Sequence, residues 1–374
     1  GLPGRTEAAR GLELLEASRS SLPVSLNPQR SLGSVLRLLP PTAMFLLTLQ
    51  LKQTERRRLA VVLFGAACAS ACLGIAQITG GPQSPLRPYD VTNPGMAVGF
   101  FANGNHQATL LLCALAFVGY LMARSAGKRT SANGKAALAA ASMIGLFLVI
   151  GVAVVGSIAG YGLLIPVAVG ALLIYRKASA GKVGWLWGGA TGVVGVAALA
   201  AMLVGPVALQ DLASDAGASP ISRRAIAATT VQAAAAHFPV GTGLGTFADV
   251  YRGFQDPFRP ITAWVNHAHN DYLEVVLETG LVGILLILAF FIWFGRQAWR
   301  AWNNDREGGN LARAATVALG AVMIHSLVDY PLRTSAIAVV FAMACAMLLP
   351  PRGRGRTTTR SGDDGPQLRH LEAN

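Results

Sequence analysis

Charge is scarce in this 374-residue sequence: Asp, Glu, Lys and Arg together make up only 13% of it. Soluble domains carry nearer ~25%. With 53% hydrophobic residues alongside, the deficit excludes an ordinary water-soluble globule and leaves a polytopic membrane protein. Acidic residues are scarcer still, 18 against 31 Lys and Arg, for a formal net charge of +13. Such a balance would suggest nucleic acid if the basic residues covered one folded face. They fall instead in short segments between apolar runs and form no such face, so no nucleic-acid partner is expected. The four cysteines, Cys68, Cys72, Cys113 and Cys345, all lie inside apolar runs. They read as small buried apolar residues, not as a disulfide or metal framework. No Gly-x-Ser-x-Gly is present, which excludes a nucleophile elbow.

What the sequence does have is long apolar runs. Candidate spans fall at about 33–51, 59–79, 106–123, 136–156, 159–175, 184–204, 273–295, 311–330 and 334–349. Most approach the ~20 residues a helix needs to cross ~30 Å of hydrocarbon. The last is short, and Pro40–Pro41 and Pro166 are expected to kink two others. The fold class expected is all-α and polytopic, with about nine transmembrane helices.

Loop charge sets the orientation. Residues 52–58 carry net +3, 124–135 +4, 176–182 +3, 296–313 +2 and the tail after Pro351 +2. These are alternate loops, so all are expected on the cytoplasmic side. Residues 80–105 and 205–271 are near neutral and face outward. The expected divisions are a polar periplasmic segment 1–32 with a short helix from Glu7 to Ser18; helices over 33–204; a large periplasmic loop 205–270; helices over 271–350; and a basic cytoplasmic tail 351–374. Because the chain opens with Gly1 in a polar segment, further helices are expected before it.

The large loop holds most of the polar chemistry. Ser219–Pro220 reads as an N-cap followed by Pro at the first helical position, giving a helix over 220–237. Gly241, Gly243 and Gly245 then form a turn. At its end, Trp264 to Gly283 carries His267, His269, Asn270, Asp271, Glu274 and Glu278 and runs into an apolar stretch. Asn270 or Asp271 is the expected N-cap, with Asp271 and Glu274 as a capping box. His269 then stands at the helix mouth, where the positive end of the dipole disfavours its protonation, and a neutral imidazole at a water–lipid boundary suits a general base. Glu274 and Glu278 share one helical face and either orient His or Arg side chains or form its wet side, the second being preferred for Glu278. Arg223 and Arg224, in the first turn of the 220–237 helix, read equally as a solvated pair or as a clamp on a phosphate. Two histidines without further ligands nearby make a zinc site improbable.

The spacing His269–Asn270, nine residues, Gly280, two residues, Gly283 resembles the signature of the O-antigen ligase and polymerase superfamily. Other segments share the resemblance: Phe100-Phe101-Ala-Asn103-Gly-Asn105-His106-Gln-Ala108, Pro239-Val-Gly241-Thr-Gly243 with an arginine one helix upstream, and Ser326-Leu-Val-Asp329-Tyr-Pro331. One departure stands out. Ser157-Ile158-Ala159-Gly160 replaces the family's Ser-Arg-Gly, and no charged residue occurs from Ala136 to Tyr175.

The resemblance implies a transferase that moves a glycan from an undecaprenyl diphosphate carrier to a hydroxyl acceptor, a lipid A-core sugar or similar. Transfer would occur on the periplasmic side of the inner membrane, with inversion and with no metal or other cofactor. It implies His269 as base and Arg223 or Arg224 as diphosphate ligand, with Arg252 or Arg259 replacing the arginine missing at Ile158. Supporting roles fall to His267, Asn270, Glu274, Asn103, Asn105 and Asp329; Asn103 and Asn105 also read simply as caps of the third span. A polysaccharide polymerase or a protein O-oligosaccharyltransferase would share this chemistry. A small-anion transporter is the alternative of a different class, against which the charge-free middle and the large outer loop both count.

Overall fold

The computed structural model describes residues 10–11, 13–14, 24–126, 131–179, 222–256, 264–304 and 308–352. Eleven α-helices carry these residues, with no strand among them. They are α1 (Pro28–Leu36), α2 (Leu39–Gln50), α3 (Gln53–Thr79), α4 (Gly104–Ala126), α5 (Ala132–Val155), α6 (Ile158–Ala178), α7 (Arg223–His237), α8 (Phe247–Gly253), α9 (Asp271–Asn303), α10 (Gly309–His325) and α11 (Ser335–Met347). A 3-10 turn at Pro331–Arg333 precedes α11.

Among the described residues, six stretches are long and apolar enough to cross a membrane: Pro28–Gln50 taken together, then α3, α4, α5, α6 and α9. Backbone groups have no water to bond in hydrocarbon, so only the helix satisfies them in such apolar runs. The chain is therefore an all-α polytopic membrane protein. The expected span at 184–204 lies outside the described residues, as do Arg259, the start of the 220–237 helix and most of Glu7–Ser18.

Several boundaries differ from the sequence reading, each for a local reason. The first span opens at Pro28, capped by the Asn27 side chain on Arg30 N, and is interrupted at Arg37–Leu38 just before Pro40–Pro41. Pro166, in contrast, sits within an uninterrupted α6. The expected 311–330 span stops at His325, because Ser326 to Tyr330 form a loop that turns back across the site. At 13 residues, α11 is shorter than a full crossing.

The core forms around α4, which packs against α3, α5, α6 and α10. Its residues from Ala108 to Tyr120 are buried almost without exception. Lipid tails supply no hydrophobic drive between helices, so close packing of small residues does much of the work. Gly119 shows this: a Cβ there would meet the Ala171 backbone of α6 at 2.6 Å. Large apolar side chains on the outer faces of α5 and α9, among them Met143, Leu146, Leu285, Leu286 and Ile292, stay exposed and form the lipid-facing girdle. A second small core, from Ile226, Phe247, Tyr251, Ala268 and Leu277, binds α7 and α8 to the first turns of α9.

Candidate active site

The site begins with a break in α9. Gly280 has φ 58° and ψ −134°, a conformation essentially confined to glycine, so the helix kinks two turns after it starts. The carbonyls freed by the kink need donors. Pro239-Val-Gly-Thr-Gly243 supplies them: Thr242 N donates to Leu277 O at 3.1 Å and Gly243 N to Glu278 O at 2.8 Å, while Leu281 N donates to Pro239 O at 2.8 Å. The two backbones touch, and a Cβ on Gly280 would sit 2.1 Å from Pro239 O. The glycines of both motifs are thus a single interlock that fixes the loop to the helix. Residues 25–34 dock on the same loop, through Leu26 N to Thr242 O and Ser31 Oγ to Leu244 O, each at 2.8 Å.

Asn270 is the N-cap of α9, its side chain accepting from Leu273 N at 3.0 Å. The capping box does not form. Glu274 turns instead to the preceding loop, accepting from Ala268 N at 2.8 Å and meeting His267 Nδ1 at 2.8 Å. His269 is held with φ 51°, the only non-glycine residue of positive φ among those described. That backbone points its ring across the helix mouth, with Nδ1 3.4 Å from Asp329 Oδ1. Asp329 is fully buried and accepts from Tyr330 N at 2.9 Å. Burial by itself would raise its carboxyl, but the His269 ring, with His106 and His325, outweighs it and holds the group below the ordinary carboxylate range.

Tyr330 is the hub that sequence reading missed. Its ring lies 4.3 Å from that of His267 and meets His106 and His269 edge-on at 5.0 Å each. Its hydroxyl reaches Asn103 and Asn266, while burial and the Asp329 charge raise its pKa, so it stays a phenol able to donate. His106 Nδ1 pairs with Thr334 Oγ1, and His325 Nδ1 with Thr109 Oγ1, both at 2.8 Å.

Arg333 was also missed. It stands 2.9 Å from Glu278, 3.4 Å from Glu274 and 3.7 Å from Asp271, three carboxylates on one face of α9. Burial works against its charge, but the three acids more than offset that and hold it above the ordinary guanidinium range. Glu278 is accordingly not a wet residue: it is 1% exposed and also accepts from Gly245 N at 2.8 Å. An isolated arginine between two apolar runs, opposite a helix with acids at i, i+3 and i+7, was the available signal.

The remaining candidates are spread more widely. Asn103 Oδ1 accepts from Asn105 N at 2.8 Å at the mouth of α4, and Asn105 Oδ1 accepts from Ser157 Oγ at 2.7 Å. Asn103 therefore caps α4 and also faces the site, whereas Asn105 ties the start of α4 to the N-cap serine of α6. Ile158 opens α6 directly after that serine and is partly exposed. Arg223 and Arg224 are exposed at the start of α7, whose N-cap is Ser222. Of the two, Arg223 acts electrostatically on His325. Arg252, on α8, stacks 3.6 Å over the Trp264 ring. A cavity of about 350 Å³ opens beside these groups, lined by Trp264, Asn266, His267, Glu274 and Arg333, with Arg30 and Arg37 of the α1 region opposite. Among the described residues no group of three or more His, Cys, Asp or Glu is disposed to hold a metal ion.

Buried acid–base groups gathered at one end of an apolar helical bundle, next to a polar cavity, define a multi-pass membrane protein with an enzyme-like site. Residues 140–288 match the family model described as O-antigen ligase, a segment that takes in the Pro-Val-Gly-Thr-Gly loop, His269 and Gly280. The match supports the O-antigen ligase superfamily, whose members are glycosyltransferase-like ligases and polymerases acting on lipid-linked glycans. No curated protein matches the chain.

Proposed function

We propose that the protein transfers a glycan from undecaprenyl diphosphate to a hydroxyl acceptor, lipid A-core or similar, at the periplasmic face of the inner membrane. The observation that carries the reading is the His269–Asp329 pair at the mouth of α9. With Nδ1 turned to Asp329, His269 Nε2 is left to take a proton. The acceptor oxygen attacks the anomeric carbon as its proton passes to Nε2. The bond from that carbon to the diphosphate oxygen breaks, the carrier diphosphate leaves, and the configuration inverts. Asp329 orients the imidazole and balances the charge it gains, the part a carboxylate plays in a hydrolase triad.

A diphosphate is a good leaving group once its charge is met, and guanidinium forks meet it without a metal. Arg223, Arg224 and Arg252 are assigned to it, with Arg223 placed first because it bears on the histidine cluster. Arg333 is not assigned there: its charge is committed to three acids, and its part is to hold Glu274 against His267.

The glycan profile of a deletion strain tests this. Loss of glycan-capped lipid, with lipid-linked full-length glycan accumulating, is the expected result. Shortened glycans would point to polymerisation and a defect confined to glycoproteins to protein transfer, each with the same chemistry at His269. An unchanged profile in all fractions would overturn the reading.

A further inference from the structure

The other end of the bundle carries a second cavity, also about 350 Å³, for which transfer chemistry has no use. The first residues of α4 lie at the histidine cluster, and Arg124 lies eighteen residues further along it. At 1.5 Å per residue this cavity is about 27 Å from the site, near the opposite membrane face. The loop charges make that the cytoplasmic face.

Its lining is cationic. Arg57, Arg124, Lys177 and Arg313 border it, with Gln53 and Tyr120 and the backbone of Gly308–Gly309 at the start of α10. No Asp or Glu lines it among the described residues. Even if Asp305 and Glu307 of the adjoining segment were counted in full against the four cations, the balance would stay at +2. The 17-residue α10 has Gly308 as its N-cap and no side chain capping its N–H groups, so the positive end of its dipole adds to the field.

Two buried donors here have no acceptor among the described residues. Gln53 is 8% exposed, its amide lies against Gly308, and its Nε2 has no acceptor. Tyr120 is 5% exposed; the Arg124 guanidinium approaches its hydroxyl as a donor, and the O–H itself has no acceptor. The Arg57 Nε–H is a third such donor. Arg313 differs, since Nε donates to Ala301 O and Nη1 to Asn310 Oδ1, which makes it part of the wall. Buried donors left unmet cost free energy, and all three converge on one space between helix ends.

We infer that this cavity binds a phosphate oxyanion at the cytoplasmic face, with Arg57 and Arg124 as the charged ligands and the Gln53 amide and Tyr120 hydroxyl as neutral donors. Basic pockets between transmembrane helices on this side suit anionic lipid headgroups. Free phosphate offers the same oxygens, so the test separates the two sources. This inference is independent of the transferase reading, because ligand retention needs no turnover.

The experiment uses the full chain in nanodiscs of phosphatidylcholine alone or with phosphatidylglycerol, read by native mass spectrometry, and adds inorganic phosphate by calorimetry in detergent. The wild type should retain phosphatidylglycerol over phosphatidylcholine. Arg57→Gln with Arg124→Gln should lower that retention roughly ten- to a hundred-fold. Arg58→Gln, an exposed cation outside the cavity, should change it little. Tyr120→Phe removes one hydroxyl and little volume, so it should weaken retention several-fold even if the double variant does not fold. Binding of inorganic phosphate without lipid selectivity, lost in the same variants, would assign the site to free phosphate. Equal retention of both lipids with no phosphate binding would overturn the inference. So would a loss in Arg58→Gln as large as that in the double variant, since diffuse surface charge would then explain it.

Discussion

His269 and Asp329 face each other across the mouth of α9, Nδ1 to Oδ1 at 3.4 Å, one at the end of the large loop and the other between α10 and α11. His269 accepts a left-handed backbone to make this approach, at a cost of roughly 1–2 kcal/mol. Asn270 holds it there, capping Leu273 N and donating to Leu327 O at 2.9 Å.

The pair predicts a pH dependence. The Asp329 carboxyl is held below its unfolded value, so its contribution to stability is complete above the unfolded pKa of ~3.9 and fades as pH falls through the folded one. In detergent, Asp329→Asn should melt below the wild type at neutral pH. The gap should narrow as pH drops below about 4. A gap that stays constant down to the lowest pH the protein tolerates would contradict the assignment.

Arg333 lies against all three of Asp271, Glu274 and Glu278. Arg333→Met leaves three buried acids without it and should cost roughly 3–5 kcal/mol, read as a large fall in melting temperature. If the protein tolerates the change with normal stability and transfer, Arg333 does not organise the site.

Gly280 predicts a sharp contrast with Gly295 on the same helix. Gly280→Ala combines a forbidden backbone conformation with a clash on Pro239 O and should cost at least about 3 kcal/mol. Gly295, whose Cβ would meet nothing within 4 Å, should tolerate alanine within about 1 kcal/mol. Equal behaviour of the two variants in a thermal-shift assay would remove the interlock.

How much of this was readable beforehand depended on range. Apolar runs announce helices by themselves, so the spans from Gln53 to Ala178 and over Asp271–Asn303 were legible, and so was a cap at Asn270 or Asp271. The role of Glu278 was not, because its partner Arg333 lies 55 residues away and no local pattern joins them. Tyr330 was overlooked for the same reason: its neighbours come from α4, from the loop before α9 and from its own loop. Pro239-Val-Gly-Thr-Gly243 looked like a turn after a helix. Its role as donor to a broken helix required knowing that Gly280 breaks it.

Metal dependence separates mechanisms. Arginines, not a metal, are assigned to the diphosphate, so transfer by purified protein should survive EDTA at full rate. A strict requirement for added Mg²⁺ or Mn²⁺, beyond any effect on donor solubility, would remove the arginine clamp from the account.

The base assignment is tested most directly by His269→Gln, assayed for transfer from a lipid-linked donor alongside measured donor affinity. Glutamine keeps polarity and approximate size but cannot carry the proton. If His269 is the base, kcat should fall by ~10²–10⁴-fold while donor affinity stays within a few-fold. Near-normal transfer by a variant expressed at wild-type levels would contradict the account, leaving His269 as no more than a residue that closes the mouth of α9.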